Sequence, residues 1–252
     1  MWLSIEDATR PVKSRGFETN AGVSYDIVKL FAGYTYTNAR AEYLTGHLNF
    51  MKAIRWARNL KNTLMRGVFP HEMSFLLELP WRNALLSPRK LAARLPLTAT
   101  SRVLEVGAGS GFYSAEIARR ISSGHLELLD LQPEMLAKAR RKLEAEGASN
   151  VGYTHADAGL LPFKEESFDL LFLVTVLGEI ADLGAFLWEA HRVLKPEGIL
   201  SVSEHLPDPD FSSCAKVKSL VERAGFEFIE RRGVSWSYTA HFKKVTPESR
   251  AT

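Results

Sequence analysis

The sequence predicts an α/β fold. A doubly wound, mostly parallel sheet occupies residues 99–252, behind an N-terminal arm and helical substrate cap over residues 1–98. Three observations lead there. From Ser101 onward, short apolar runs alternate with amphipathic helical segments, the pattern of strands covered on both faces. The first run, "VLEVGAGSGFYS" at 103–114, gives way to glycine at every second position before helical spacing begins at Ser114. The last two runs, "FEFIERRG" and "YTAHFKKV", are too close for a helical crossover, so they form an antiparallel hairpin at the sheet edge.

Residues 1 to about 24 are polar, with Pro11, Gly16 and Gly22, and read as a loosely held arm. Helical spacing then runs from Tyr25 to Arg94, through "ARAEYLTGHLNFMKAIRWARNL" and "HEMSFLLELPWRNALL", where Pro80 interrupts it. "LSPRKLAARLP" is a capped helix, with Ser87 at the N-cap, Pro88 at the first helical position and Pro96 past the end. Beyond it, strands are expected at "RVLEVG", "LELLDL", "VGYTHAD", "FDLLFLVTV", "GILSVSEH" and in the final pair. Helices are expected at "PEMLAKARRKLEAEG", "LGAFLWEAHRVLK" and "CAKVKSLVERAG".

With 252 residues and 46% hydrophobic content the chain can bury a substantial core. A net charge of +3 gives no argument for nucleic acid. Residues 1–70 carry ten basic against five acidic side chains, concentrated in "KAIRWARNLKNTLMR" with Lys52, Arg55, Arg58, Lys61 and Arg66. That stretch reads as a solvated helix face, with contact to an anionic lipid surface or substrate as the alternative. Cys214 is the only cysteine, so no internal disulfide can form. No apolar run reaches the roughly 18 residues of a spanning helix, and the N-terminus lacks signal-peptide order. Cytoplasmic residence is expected, with peripheral membrane contact left open.

Ligands of open parallel sheets bind beyond the carboxyl ends of the strands, where strand order reverses. Gly107, Gly109 and Gly111 would let a ligand lie against bare main chain and the next helix's amides. A dinucleotide fingerprint needs a small residue where Phe112 stands, and Glu105 would repel a pyrophosphate. A cationic ligand suits the turn better. S-adenosylmethionine carries a sulfonium, an ammonium, a ribose diol and an adenine amine, all of which favour oxygen acceptors. Asp130, about twenty residues past the glycines at the tip of the second strand, suits the ribose; Asp157, at the end of the third, suits the exocyclic amine. For each acid taken alone, a helix cap or solvated loop is the competing reading.

"LEVGAGSG", "LLDLQPEML", "ADAGLLPF", "FDLLFLVTVLGEI" and "HRVLKPEGIL" resemble the successive motifs of class I S-adenosylmethionine-dependent methyltransferases, in the branch that includes ubiquinone/menaquinone-biosynthesis C-methyltransferases. The resemblance spans residues 100 to about 245. It implies a Rossmann-like seven-stranded sheet with an antiparallel last strand and cofactor across the first four strand ends. It sets Glu105, Gly107, Ala108, Gly109 and Gly111 around the methionine moiety, Asp130 with Leu131 at the ribose, Asp157 with Ala158 at the adenine, and Thr175 near the methionine amine. Met135 would pack near the adenine or within the helix core. No metal is implied.

Methyl transfer from a sulfonium is an in-line displacement that needs alignment and dryness more than a covalent intermediate. If a base assists, Glu179, Glu204 and His205 stand past the fourth and fifth strands, and His205 is preferred because imidazole titrates near neutrality. Cytosine-C5 chemistry lacks a cysteine at the mouth, and arsenic chemistry needs several. The Asn/Asp-Pro-Pro-aromatic turn of base-amine methyltransferases is replaced here by "VTVLGE". A small-molecule or lipid-like acceptor, quinone or isoprenoid in type, is therefore expected, and no nucleic acid. Phe31, Tyr34, Tyr36 and Tyr43 could line an apolar pocket of the cap, ordinary packing being the plainer account. A non-catalytic S-adenosylmethionine-binding regulator and an NAD-dependent oxidoreductase are the alternatives.

Overall fold

The computed structural model describes residues 86–206 and 208–245. The predicted arm, nearly all of the cap with Phe31, Tyr34, Tyr36 and Tyr43, and the basic stretch 52–66 lie outside the described residues. In chain order the elements are α1 (Pro88–Arg94), β1 (Arg102–Val106), α2 (Ser114–Arg120), β2 (His125–Asp130), α3 (Pro133–Ala145), β3 (Val151–His155), β4 (Phe168–Val174), α4 (Leu183–Val193), β5 (Leu194–His205), α5 (Cys214–Arg223), β6 (Phe226–Val234) and β7 (Ser237–Lys244).

These strands form one seven-stranded sheet in the order β3-β2-β1-β4-β5-β7-β6, parallel except for β7, which runs antiparallel to both β5 and β6. The order reverses between β1 and β4, so the connections leaving these two strands diverge. α1, α2 and α3 cover one face through Leu91, Ile117, Ala139 and Leu143, packed on Val103, Leu126, Leu128 and Phe172. α4 and α5 cover the other through Phe186, Ala190 and Val217, packed on Leu104, Leu171, Val202 and Tyr238. Covered on both sides, the central strands need apolar side chains at nearly every position. In β4 Asp169 is the one polar residue, and it serves the amino end, accepting from Arg102 N at 2.8 Å and Lys195 Nζ at 2.6 Å.

Helix starts follow the capping residues. Ser87 Oγ accepts from Lys90 N, Asp182 Oδ1 from Ala185 N, and Ser213 Oγ from Lys216 N. β5 begins earlier than its sequence signal, at Leu194, and carries Pro196 and Gly198 within it. Phe168 pairs with Leu194, and the register shifts before Leu170 meets Ile199. A proline is tolerated at such an irregularity.

A clasp on α4 fixes the segment that follows β3. Glu189, almost wholly buried, accepts from Leu161 N at 2.8 Å and from Arg192 Nε at 2.9 Å, while Arg192 donates to the carbonyls of Leu161 and Phe163 at 2.9 and 2.8 Å. The Arg192 guanidinium holds the Glu189 carboxyl below its usual range. Arg192→Met strands this carboxylate. The expected loss is about 2–4 kcal/mol in denaturant unfolding, with faster hydrogen exchange at the Leu161 amide.

Candidate functional site

The turn between β1 and α2 is built from left-handed backbone. Gly107, Gly109 and Gly111 have φ of +69°, +56° and +76°. Gly107 N and Ala108 N both donate to Leu129 O, at 2.8 and 3.2 Å, which sets the turn against the tip of β2. Side-chain space is as restrictive as φ. A Cβ on Gly107 would lie 2.5 Å from Val176 Cγ2, and one on Gly111 would lie 2.9 Å from Leu143 and 3.1 Å from Ala139 of α3. Two of the three glycines are thus demanded by packing as well as by turn geometry, a partnership with distant residues that the sequence does not display.

Asp130, the last residue of β2 and 8% exposed, bridges the neighbouring turns. Its Oδ2 accepts from Gly109 N at 2.8 Å and its Oδ1 from Gln132 N at 2.9 Å. Each oxygen keeps a lone pair for a further donor. Burial raises its pKa. Glu105 stands behind the turn on the α1–α3 face, 3% exposed, accepting from Ser114 Oγ at 2.6 Å. Burial pushes its carboxyl up to about 8, with the Asp130 charge adding to the rise and the Ser114 hydrogen bond and then Lys142 offsetting only part of it. Ser110 Oγ is buried in the same turn without a hydrogen-bond partner among the described residues. Bare main chain beside two buried carboxylates favours a ligand bearing positive charge and hydrogen-bond donors and disfavours an anion.

The remaining expected residues are spread more widely. Asp157 lies two residues beyond β3, exposed, with Oδ1 accepting from Gly159 N at 2.7 Å in an Asx turn; Ala158 packs against the α4–α5 core. Leu131 is exposed, and its carbonyl accepts from His155 Nε2 at 3.0 Å. Met135 is buried in α3. Thr175 follows β4 directly, half-buried, with φ of +55° and its N–H donating to Ser203 O at 2.9 Å. A β-branched residue in this region is strained, and the strain sits where strand order reverses.

The two candidate bases on β5 do not share a face. Glu204 pairs in register with Tyr238 on the α4–α5 side, whereas His205 pairs with Ser237 on the α1–α3 side, and both are buried. Glu204 accepts from Ser212 N at 3.2 Å, and burial followed by the Asp208 charge pushes it up to about 8. Glu179 is half-buried in the connection after β4, its N–H donating to Val176 O at 2.9 Å. Ser114, Val176 and Tyr238 had no mark in the sequence as parts of this region. Among the described residues no group of three His, Cys, Asp or Glu is disposed to hold a metal ion.

Residues 103–198 match the family described as a methyltransferase domain. A ubiquinone/menaquinone biosynthesis C-methyltransferase of Vibrio vulnificus is 33% identical over 154 residues, 58% of this chain and 58% of that protein. An arsenite methyltransferase of Halobacterium salinarum is 28% identical over 163 residues, 57% of this chain and 41% of that protein. The crystal structure of a SAM-dependent methyltransferase from Aquifex aeolicus superposes with a TM-score of 0.66 at 25% identity, covering 71% of this chain and 100% of that one. The chain thus spans less than two thirds of the length of these curated relatives.

Two outcomes are expected from the turn. Gly107→Ala should lose about 1–3 kcal/mol in urea unfolding, and Val176→Ala added to it should recover the steric part and leave the left-handed φ cost. Glu105 has a raised folded pKa, so its favourable contribution is complete below the ordinary carboxylate value and is lost as pH rises through about 8. Glu105→Gln should therefore gain on wild type, without ligand, by at most about 1.4 kcal/mol per pH unit across that window, with no further gain above it.

Proposed function

We propose that the chain is a class I S-adenosylmethionine-dependent methyltransferase that transfers the methyl group of S-adenosylmethionine to a small, lipid-like acceptor of quinone type, a reading supported by the methyltransferase domain matched over residues 103–198. The observation that carries this reading is the glycine turn closed by Gly109 N on Asp130 Oδ2, with Glu105 buried behind it. Bound there, S-adenosylmethionine would supply an electrophilic methyl on a cationic sulfur. Gly107, Ala108, Gly109 and Gly111 would then offer main chain to the methionine moiety, and Glu105, giving up its proton as a cation binds, would stabilise the ammonium. Asp130 has lone pairs left for the ribose hydroxyls, beside Leu131. Asp157 with Ala158 suits the adenine amine, and Thr175, whose N–H donates to Ser203 O, would lie near the methionine amine.

The chain's share of the chemistry is alignment. Positive charge disappears from sulfur as the methyl leaves, so a rigid, dry and correctly spaced site accounts for most of the rate. His205 and Glu179 are the groups proposed to take a proton from an acceptor, on the α1–α3 face and on the connection after β4 respectively. The quinone-type acceptor draws support from the similarity to the Vibrio ubiquinone/menaquinone biosynthesis C-methyltransferase, and an arsenic acceptor is disfavoured because Cys214 is the only cysteine. Residues 1–98 are proposed as the substrate cap, with action in the cytoplasm or against a membrane surface; among the described residues no helix is long and apolar enough to cross a membrane.

Calorimetry with S-adenosylmethionine, S-adenosylhomocysteine and NAD tests the cofactor, with binding expected for the first two alone. Asp130→Asn keeps the side chain's size but sets an amide donor against Gly109 N or Gln132 N, so it should lower the melting temperature and weaken S-adenosylmethionine at least tenfold; equal affinity removes Asp130 from the site. A cationic ligand lowers the Glu105 pKa, so binding near pH 7 should release protons, measurable in buffers of different ionisation enthalpy, and the release should shrink in Glu105→Gln. Labelled methyl appearing in demethylmenaquinol, and absent without enzyme, tests the acceptor.

A further inference from the structure

The connections leaving β4 and β5 meet edge to edge at the carboxyl end of the sheet, and one side chain from β7 locks the meeting. Beyond β5 the chain folds tightly: Asp208 N donates to His205 O at 3.1 Å, Phe211 N to Asp208 O at 3.2 Å, and Asp210 N to Asp208 Oδ1 at 2.8 Å. Ser212 is held from both sides. Its N–H donates to Glu204 Oε2 at 3.2 Å, and its carbonyl accepts from Tyr238 Oη at 2.6 Å. The Phe211 ring meets the Tyr238 ring edge-on, centroids 6.1 Å apart. Asp210 is thereby pressed onto Gly178, three residues past Thr175; a Cβ on Gly178 would lie 2.5 Å from Asp210 Cβ and 3.2 Å from its carbonyl oxygen.

Tyr238 is fully buried in the α4–α5 core, a place where a phenol has no advantage over phenylalanine unless its hydroxyl is needed. Its hydroxyl donates to the Ser212 carbonyl. Gly178 has a negative φ, so backbone conformation does not require glycine there; the closeness of Asp210 does. Two unrelated positions are specialised for the same contact. That contact stands beside the glycine turn on the β4–β5 side, whereas the cofactor groups argued above lie on the β1–β2 side. An acceptor must approach the methyl from the side opposite its leaving sulfur, and misplacement by about 1 Å can cost on the order of a hundredfold in rate.

We infer that Tyr238 and Gly178 are positioning residues for the methyl acceptor, fixing residues 208–212 against the connection after β4 as one wall of the acceptor pocket. This rests on the methyltransferase reading and adds the acceptor side of the same site. The role predicts a separation that general destabilisation does not produce: acceptor saturation changes, and cofactor affinity does not.

Tyr238→Phe and Gly178→Ala are compared with wild type by incorporation of labelled methyl from S-adenosylmethionine into graded dilutions of a bacterial lipid extract, beside calorimetry with S-adenosylhomocysteine. The expected result is a rise of at least fivefold in half-saturating extract, with S-adenosylhomocysteine affinity within twofold of wild type. Unchanged half-saturation, or an equal loss of S-adenosylhomocysteine affinity, overturns the inference. Hydrogen exchange reads the lock without an acceptor: the Ser212 amide should exchange at least tenfold faster in Tyr238→Phe while Gly107 and Ala108 keep their rates. Unaltered Ser212 exchange overturns the inference even where no methyl is transferred, while absence of incorporation by wild type with faster Ser212 exchange in the variant defeats the acceptor reading and with it the proposed wall.

Discussion

The structure depends on a turn in which Gly107 and Gly111 have no room for a side chain. Gly107, Gly109 and Gly111 are left-handed, Val176 from the connection after β4 closes on Gly107, and Ala139 and Leu143 of α3 close on Gly111. The turn is the place where three segments from different parts of the chain touch. A side chain at Gly107 would overlap the Val176 side chain, so the turn and the β4 connection could not keep their present approach. Asp130 completes the arrangement by taking Gly109 N, so the tip of β2 and the turn move as one body.

The treatment of buried acids separates structure from function. Glu189 is nearly as buried as Glu105, yet it is matched by the Arg192 guanidinium and by Leu161 N, and its carboxyl is held below its usual range. Glu105 has Ser114 Oγ for a partner and lies near another carboxylate, with its own proton held up to about 8. An arginine within reach of Glu105 would relieve that cost, as it does on α4. The Ser114 hydroxyl is a weaker partner, so Glu105 keeps its proton, and a cationic ligand at the turn would draw that proton off and stabilise the carboxylate.

Most of the architecture was legible because parallel strands buried on both faces advertise themselves as continuous apolar runs, and because Ser87 and the helix-starting prolines mark ends locally. The glycine turn was legible for the same reason. Less visible were features made by pleat and by distant partners. Glu204 and His205 are adjacent in sequence and look like two candidates at one mouth, but strand alternation sends them to opposite faces. Asp157 seemed to end the third strand, whereas β3 stops at His155 and the carboxylate turns back onto Gly159 N. β5 starts at Leu194 because pairing with Phe168 outweighs Pro196, a tertiary contact no local pattern reveals.

The single reversed strand gives the sheet its second capability. Every parallel strand arrives at the ligand edge with its last residues, so what it can offer there is a connection. β7 enters from that edge, paired through Ser237 and Tyr238 with His205 and Glu204, and so brings its first side chains to the mouth. The short hairpin from β6 makes this possible, since Leu206 N also donates to Trp236 O and ties the hairpin to the end of β5. On the proposed reading, β1, β2 and the glycines would set the donor side, and the β4, β5 and β7 end could be reshaped without moving them.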